Sequence, residues 1–405
     1  MKKIDVIIVG AGMSGLSCAL MCQKNGLTYK IIEKSNRIGG RVGSISENGY
    51  IFDIGFQVYN TGYNLTNSIL NIDELDLYKF KPGAAIFDGN SFKIISDPLR
   101  DFGKLASTFR SELLNVSDKI KIFSLKIALT NYSISEDRSK DKSTIDFLKE
   151  YGFSSQALNN FFKPFFSGIF LEKDLDTSCK FFKFVFSKFN GGYATIPEKG
   201  MQAIPDQIYS KLNNDAILFN HELVHVKENN SLILDDNTIL EPKKVVFTGD
   251  SSKIVLKNHS IDYNSSTTIY FSSKVAPPFG NYIHLFPFDE LINNISVLTS
   301  ISKKYSSKPD HLYSITVLDN FYDGSELIPK IKVCLKTYYG GDVSDFKFLK
   351  KFEIKKATII QKPGFYDQKI DNDKSFIFAG DQFTNGSIEG AVESGLNAAK
   401  KLLGN

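Results

Sequence analysis

The sequence predicts an α/β chain: a Rossmann-type dinucleotide-binding domain with a discontinuous second α+β domain of helices plus antiparallel sheet. Two glycine-bearing segments at opposite ends of the chain point to the first domain. Residues 5–15, Asp-Val-Ile-Ile-Val-Gly-Ala-Gly-Met-Ser-Gly, run from an apolar strand into Gly10-x-Gly12-x-x-Gly15 and a helix. Residues 376–381, Phe-Ile-Phe-Ala-Gly-Asp, form another apolar strand that stops at Gly380-Asp381, and Gly386-Ser-Ile-Glu-Gly-Ala391 follows. Between the two ends lie two long insertions, so both domains are expected to be discontinuous. Segments 1–75, 193–255 and 351–405 make up the first, and 76–192 with 256–350 the second.

Each opening element has a physical role. Gly10 permits the sharp turn, Gly12 lets backbone N–H groups approach a pyrophosphate, and Gly15 lets the helix pack on the strand. The helix from about Ser14 to Asn25 has an apolar face in Leu16, Ala19 and Leu20, and Gly26 stops it. Met13, Ser14 and Gly15 stand at its N-terminal end, where the helix dipole favours an anion. A second strand, Tyr29 to Ile32, ends at Glu33-Lys34. That acid falls about 20 residues past the glycines, where the fold places a ribose-binding carboxylate. Arg37-Ile-Gly-Gly40-Arg41 comes next, with glycines for close approach and a guanidinium fork suited to phosphate. Only five of the 49 basic residues are arginine, and two of those five lie in this turn. A NAD-only Rossmann domain explains the opening segment and leaves the closing one unexplained. FAD explains both.

The remainder of the chain is read from periodicity. Residues 102–114, 117–130 and 143–151 carry apolar positions at helical spacing. Another helix starts in Pro197-Glu-Lys-Gly-Met-Gln-Ala and runs to Leu212. Short strands follow at 216–219, 223–227, 231–234 and 245–248, joined by Asn-Asn and Asp-Asp-Asn turns. Residues 256–350, with 267–272 and 295–301 as examples, suggest an antiparallel sheet.

The motifs Gly10–Gly15, Glu33, Gly39-Gly40-Arg41, Asp53-Ile-Gly-Phe-Gln57, Pro197-x-x-Gly200-Met201 and Gly380-Asp381 occur in one order along the whole chain. On these residues the chain resembles the flavin amine oxidase superfamily, which includes monoamine oxidases, protoporphyrinogen oxidases and phytoene-desaturase-like enzymes. Phe161-Phe-Lys-Pro-Phe-Phe166 and Gly200-Met-Gln-Ala-Ile-Pro205 bring it nearer the phytoene-desaturase-like branch. The resemblance implies that Asp381 bonds the ribityl or pyrophosphate part of FAD, and that Ile388 and Ala391 lie on a helix aimed at the flavin's pyrimidine edge. It implies further that Leu223 lies beside the adenine, and that Gly55, Phe56 and Gln57 run along the isoalloxazine, with Phe56, Gln57 and Tyr59 shaping a cavity. At the position of Ser387, amine oxidases carry an aromatic that helps cage the amine. Here the hydroxyl is expected to cap a helix instead. Since no cysteine falls where some relatives attach flavin covalently, noncovalent FAD is expected.

Composition narrows the function classes. A net charge of +4 over 405 residues does not suggest a nucleic-acid binder. No apolar run reaches membrane-spanning length, and the N-terminus enters a strand with no signal peptide before it. Cys18 and Cys22, one helical turn apart, read as buried thiols, in keeping with a reducing cytoplasm. His221, His225, His259, His284 and His311 show no metal spacing, so no metal is expected. Ten of 34 phenylalanines lie between Phe161 and Phe189. They pack a core, line an elongated apolar cavity, or form a mouth that docks on a membrane.

No side chain announces itself as a general base, so the flavin is the expected reactive group. The function expected from these features is hydride transfer from an apolar substrate, isoprenoid- or carotenoid-like or tetrapyrrole-like, to FAD. With no second glycine fingerprint for NADPH, a diffusible acceptor such as oxygen or a quinone completes the cycle. Amine oxidation, flavin-dependent isomerisation without net redox change, and cofactor binding without turnover are the alternatives.

Overall fold

A computed structural model of the chain describes residues 4–96, 113–256, 261–318, 324–368 and 376–404. Its first sheet has five strands in the order Ile217–Phe219, Tyr29–Glu33, Val6–Val9, Lys244–Thr248 and Phe376–Ala379. Every neighbouring pair is parallel. Val6, Ile7, Ile8 and Val9 are all buried, as a parallel strand covered on both faces requires. The expected union of the chain's two ends is therefore present in one sheet.

The opening helix, Met13–Lys24, and the closing helix, Ile388–Leu402, pack directly on each other. At Gly395 a Cβ would lie 2.1 Å from Ser17 Oγ and 2.2 Å from the Ser14 carbonyl oxygen, so any side chain would push the two helices apart. Glu389 ties the closing helix down at another point. Its buried carboxylate accepts from Leu65 N–H (3.0 Å), Thr66 N–H (2.9 Å) and Thr66 Oγ (2.6 Å), serving the otherwise unpaired donors of the short helix Asn64–Ile69. Cys18 and Cys22 are buried free thiols in this core, as expected.

The second sheet has seven strands: Lys347–Ile359, Tyr263–Ser273, His311–Val317, Asn294–Val297, Ile283–Leu285, Gly83–Phe87 and Phe92–Ser96. Pairing is antiparallel except between Ile283–Leu285 and Gly83–Phe87. Three features differ from the sequence expectation. Gly83–Phe87 and Phe92–Ser96 had no strand assigned to them. The strand Lys347–Ile359 carries residues 351–359, given to the cofactor domain, into this sheet. The stretch 295–301 is split into a strand to Val297 and a helical turn Leu298–Ile301.

A helix at Gly324–Tyr339 was also unforeseen, because it lies in the 256–350 stretch expected to form antiparallel sheet; Pro329 stands within it. Leu327, Ile331 and Leu335, spaced four apart, bury its inner face. Elsewhere the expected helices stand at Val116–Ala128, Thr144–Glu150 and Ala203–Tyr209. The one expected at 102–114 lies mostly outside the described residues. The small sheet Leu223–Val226, Leu232–Leu234, Ile239–Leu240 turns at Asn230 (φ 65°) and Asn237 (φ 66°), the left-handed positions its Asn-rich turns call for.

Six of the ten clustered phenylalanines, 162, 166, 170, 181, 182 and 184, are buried in one apolar core. Ring centroids lie 4.7 Å apart for Phe166 and Phe182 and 4.6 Å apart for Phe153 and Phe162. Core packing accounts for most of that cluster. Among the described residues, no helix is long and apolar enough to cross a membrane.

Candidate cofactor-binding site

The motifs converge because parallel strands bring their carboxyl ends to one edge. Gly10 follows Val9, Glu33 ends its own strand, Gly249 follows Thr248 and Gly380 follows Ala379. In open parallel sheets this edge is where ligands bind. The Gly39-Gly40 turn docks beside the fingerprint, with Gly39 N–H donating to the Ala11 carbonyl at 2.8 Å and a bridge pairing Gly12 with Gly39.

Several predicted residues meet. Arg41 Nη2 lies 2.5 Å from Asp381 Oδ1, a pair 340 positions apart in the chain. Burial opposes the guanidinium charge, but the adjoining Asp381 carboxylate, together with Tyr263 and Asp250 nearby, raises the Arg41 pKa. Glu33 Oε2 accepts from Ala11 N–H at 2.8 Å, and Oε1 from Ser35 N–H at 2.9 Å, so the acid braces the glycine turn. Oε1 also accepts from Ser35 Oγ at 2.7 Å, so Oε2 is the oxygen with a further lone pair for a ribose hydroxyl. Met13, Ser14 and Gly15 are buried at the helix start, and Lys34 is exposed beside Glu33. Leu223 is buried against Ile7, Val9 and Ile32. Ile388 and Ala391 are half-buried on the closing helix, whose N-cap is Ser387: its Oγ accepts from Gly390 N–H at 2.9 Å, as its residue type foretold.

Two expectations need correction. Tyr59, offered as a cavity residue, is fully buried, stacks edge-on with Tyr63, and donates its hydroxyl to Asn67 Oδ1. It supports the wall from behind because its strand pairs with Ala194–Pro197 on the core side. Arg37 does not face a phosphate. Its guanidinium donates to the carbonyls of Ile38 (3.0 Å), Val42 (3.0 Å) and Gly40, so it shapes the glycine turn and leaves Arg41 as the arginine of the cleft.

The site also contains residues that no motif announced. Thr248 Oγ1 donates to the Val9 carbonyl at 2.7 Å and fills the space a side chain at Gly10 would need. Tyr263 lies under Arg41, at 5.6 Å, and bonds Asp250 through its hydroxyl at 3.0 Å. Near the closing helix, the Tyr63 hydroxyl interacts with Ser387, and Gln361 Oε1 accepts from Gly386 N–H at 3.0 Å and Tyr366 hydroxyl at 2.8 Å. Gln361 sits in no glycine context and no periodic run, so nothing local marked it. His221 faces Asp235 and Asp236 across the small sheet; their ligand atoms lie within 4.8 Å of one another, with both aspartates exposed.

Asp53 proves to be a buried hub. Its carboxyl accepts from Met201 N–H (3.0 Å), Tyr305 hydroxyl (3.0 Å) and Ser44 Oγ, while Tyr270 donates to its carbonyl oxygen at 2.9 Å. These bonds hold the start of the Gly55-Phe56-Gln57 turn. Burial pushes the Asp53 pKa up to about 6 even though Met201, Ser44 and Tyr305 pull it down. The folded protein thus holds this proton more tightly than the unfolded chain does. The stability it confers is full below the ordinary carboxylate range and is lost as pH rises through about 6. His284 acts oppositely: burial lowers its pKa to about 4, so stability is lost as pH falls below the ordinary histidine range. In Asp53→Asn the first slope disappears. Urea unfolding should show the variant gaining on the parent by on the order of 2–3 kcal/mol between pH 4 and pH 7. A pH-independent difference would contradict the assignment.

The residues fit a dinucleotide. The opening helix has no side-chain cap and no acid in its first turn, so its N-terminal donors await an acceptor. A Cβ at Gly12 would meet nothing within 4 Å, so the space in front of that helix end is open. Gln57 donates through Nε2 to the Arg41 carbonyl (2.8 Å) and the Ile54 carbonyl (2.6 Å), leaving its buried Oε1 without a partner. Gln382 Oε1, next to Asp381, is likewise buried and unpartnered. Open space at a positive helix end, with unused polar atoms beyond it, is what an extended anionic cofactor requires.

A family model described as "Flavin containing amine oxidoreductase" matches residues 13–284, more than half of the chain. This chain belongs to the flavin containing amine oxidoreductase family. Flavin is the cofactor of that family, and a two-ended dinucleotide cleft makes it FAD. A 1-hydroxycarotenoid 3,4-desaturase from Flavobacterium sp. (strain P99-3) is 29% identical over 157 residues, 37% of this chain and 31% of that protein. Matched stretches span between 8% and 31% of the curated relatives' own lengths. Among solved structures, an oxidoreductase from Methanosarcina mazei aligns at TM-score 0.75 and 18% identity, covering 98% of this chain and 100% of the other. Wild-type putrescine oxidase bound to putrescine aligns at TM-score 0.73 and 16% identity, covering 100% and 99%. These likenesses establish the flavin-oxidase α/β fold over the whole chain.

Proposed function

We propose that this family member is an FAD-dependent oxidoreductase acting on an apolar substrate of isoprenoid, carotenoid or tetrapyrrole type. FAD is held noncovalently, and a diffusible acceptor, oxygen or a quinone, completes the cycle. The observation that carries the cofactor assignment is the meeting of Arg41 and Asp381 at the carboxyl edge of a sheet built from both chain ends. The bound flavin supplies the hydride-accepting centre.

The chain's own groups do the rest. The opening helix presents backbone donors and a positive end to the diphosphate, and Glu33 takes the ribose hydroxyls. Asp381 and Arg41 hold the middle of the cofactor. Gln57 offers its unpartnered oxygen to a donor on the ligand, and Phe56, half-buried and anchored through its N–H to Thr268 Oγ1 at 3.1 Å, presents an apolar surface. Leu223 packs toward the adenine. The closing helix aims its N-terminal end at the pyrimidine edge, where it favours negative charge.

The substrate class rests on the phytoene-desaturase-like motifs, the carotenoid desaturase relative, and Ser387. That hydroxyl is committed to capping its helix, so it builds no aromatic wall for a cationic amine. Amine oxidation is the second reading, favoured by the description of the family model. An apolar substrate of this class resides in lipid, so contact with a membrane surface belongs to the first reading. Anaerobic mixing with candidate polyenes and tetrapyrroles should bleach the oxidised-flavin absorbance, and primary amines should not. Bleaching by amines alone would overturn the proposal in favour of amine oxidation. Product formation without acceptor consumption would instead identify isomerisation.

A further inference from the structure

The two faces of the seven-stranded sheet differ in chemistry. Ile269, Ile315 and Ile295, paired across three neighbouring strands, are buried with Leu327, Ile331 and Leu335 of the helix Gly324–Tyr339. Side chains alternate along a strand, so the residues between them face the other way. On that side Thr268, Thr316 and Asn294 form one rung, and Tyr270, Ser314 and Ser296 the next. All six are buried. Polar side chains on a sealed sheet face are costly unless each finds a partner.

Some of the six are served by the protein. Thr268 Oγ1 accepts from Phe56 N–H at 3.1 Å, and Tyr270 donates to the Asp53 carbonyl at 2.9 Å. Ser314 adjoins the Tyr270 hydroxyl. Asn294 Nδ2 donates to Asn293 Oδ1 at 2.8 Å, which commits the donor side of that amide. Asn294 Oδ1, Thr316 Oγ1 and Ser296 Oγ are buried with no partner. Thr316 and Asn294 are directly paired, so a hydroxyl and an amide oxygen stand side by side. From Thr268 to Asn294 the first rung crosses two strand spacings, about 10 Å. It starts at the Gly55-Phe56-Gln57 turn, expected along the isoalloxazine, and ends against the helix Lys163–Phe170, where a Cβ at Gly168 would lie 2.9 Å from Asn294 Nδ2.

We infer that the substrate is a hydroxylated isoprenoid whose hydroxyl donates to Asn294 Oδ1 and accepts from Thr316 Oγ1, with Ser296 on the adjoining rung. This rests on the proposed oxidation of an apolar substrate and narrows its class. A bare hydrocarbon would leave all three groups unpaired. A tetrapyrrole carboxylate fits poorly. The six side chains carry no charge, Asn294 presents an acceptor, and Lys350, paired across from Tyr270, is already bonded to Glu47. Beyond Asn294 the same face continues through Leu285 and Ile86, which belong to the phenylalanine-rich core. The unpartnered polar atoms are therefore flanked on that side by apolar surface, which suits an alcohol on a hydrocarbon chain.

The test is equilibrium dialysis of the full chain with its bound cofactor against two probes: farnesol, and the matching hydrocarbon that lacks only the hydroxyl. Farnesol is expected to bind at least about tenfold more tightly, since a site with buried polar groups rejects the analogue that cannot pair them. The double variant Thr316→Val/Ser296→Ala should cut that preference to about threefold or less, with flavin content unchanged. Its melting temperature should hold or rise, because neither hydroxyl has a protein partner to lose. Equal affinity for the two probes, or failure of farnesol to bind, would overturn the inference. So would a double variant that melts lower and keeps the preference, which would make the hydroxyls structural. Bleaching of the flavin by hydrocarbon polyenes, with no gain from a hydroxyl, would uphold the redox reading and sink this one. A preference for farnesol without bleaching by any polyene would do the reverse.

Discussion

Gly12→Val is expected to yield a folded, colourless protein, and Gly15→Val an unstable one. The two glycines stand three residues apart in one motif, but their surroundings differ. At Gly12 an added Cβ meets nothing within 4 Å, and φ of −71° with ψ of 178° suits any residue. Valine there should alter the stability of the cofactor-free protein by no more than about 1 kcal/mol, the range for an exchange at a helix cap. It would nevertheless occupy the space in front of the helix end where the diphosphate is proposed to sit. At Gly15 a Cβ would lie 1.9 Å from the Gly10 carbonyl oxygen. Strand and helix must separate to admit it, at a cost of about 3 kcal/mol or more. Urea unfolding of the apo proteins, alongside flavin-to-protein absorbance after reconstitution, separates the two effects. Stoichiometric flavin in Gly12→Val would mean that the anion does not sit over the opening helix.

Asp381→Ala should weaken the hold on the cofactor by a different route. Asp381 is buried and holds the partly exposed Arg41 across the cleft. Its removal takes away the acceptor proposed for the ribityl chain and releases the arginine from its fixed position. Truncating one member of a buried charged pair costs about 2–5 kcal/mol. Because Arg41 is partly exposed, the lower end applies after screening: about 2 kcal/mol, or a roughly 30-fold weaker FAD affinity. Asp381→Asn, which keeps an acceptor oxygen, should fall between parent and alanine variant. Equilibrium dialysis against FAD measures all three, and parental affinity in Asp381→Ala would remove this residue from the site.

Much of the cofactor site was legible because it is written in local backbone requirements. A tight turn, a close helix approach and an acid at a strand end each demand a residue type at a fixed offset, so Gly10, Gly12, Gly15 and Glu33 could be assigned before any contact was known. Ser387 was readable for the same reason, since capping is decided within three residues. Arg37 and Arg41 were not separable in this way. Both have the same chemistry in the same turn, and only the packed loop directs one guanidinium to its own carbonyls and the other to Asp381.

Secondary structure followed the same division. Helices with clear periodicity and hairpins with Asn-rich turns emerged from sequence. The helix Gly324–Tyr339 did not: its stretch was expected to form sheet, and the helix that does form buries Leu327, Ile331 and Leu335 with Pro329 inside it. Strand Gly83–Phe87 acquires its place from a partner some 200 residues away, with Phe92–Ser96 paired to it as a hairpin, and Tyr59 its full burial from a strand at 194–197.

The sequence by itself determined that both ends of this chain supply a grip suited to a dinucleotide, since glycine geometry and capping are short-range properties. Which side chains occupy the grip and which carry it was decided by tertiary structure alone. So was the exposure of Val116, Ile120, Phe123 and Ile127 on the helix Val116–Ala128, whose Leu125 is buried: apolar residues on both sides of a helix read identically in one dimension, and only the position of the core distinguishes the buried side from the side left to solvent.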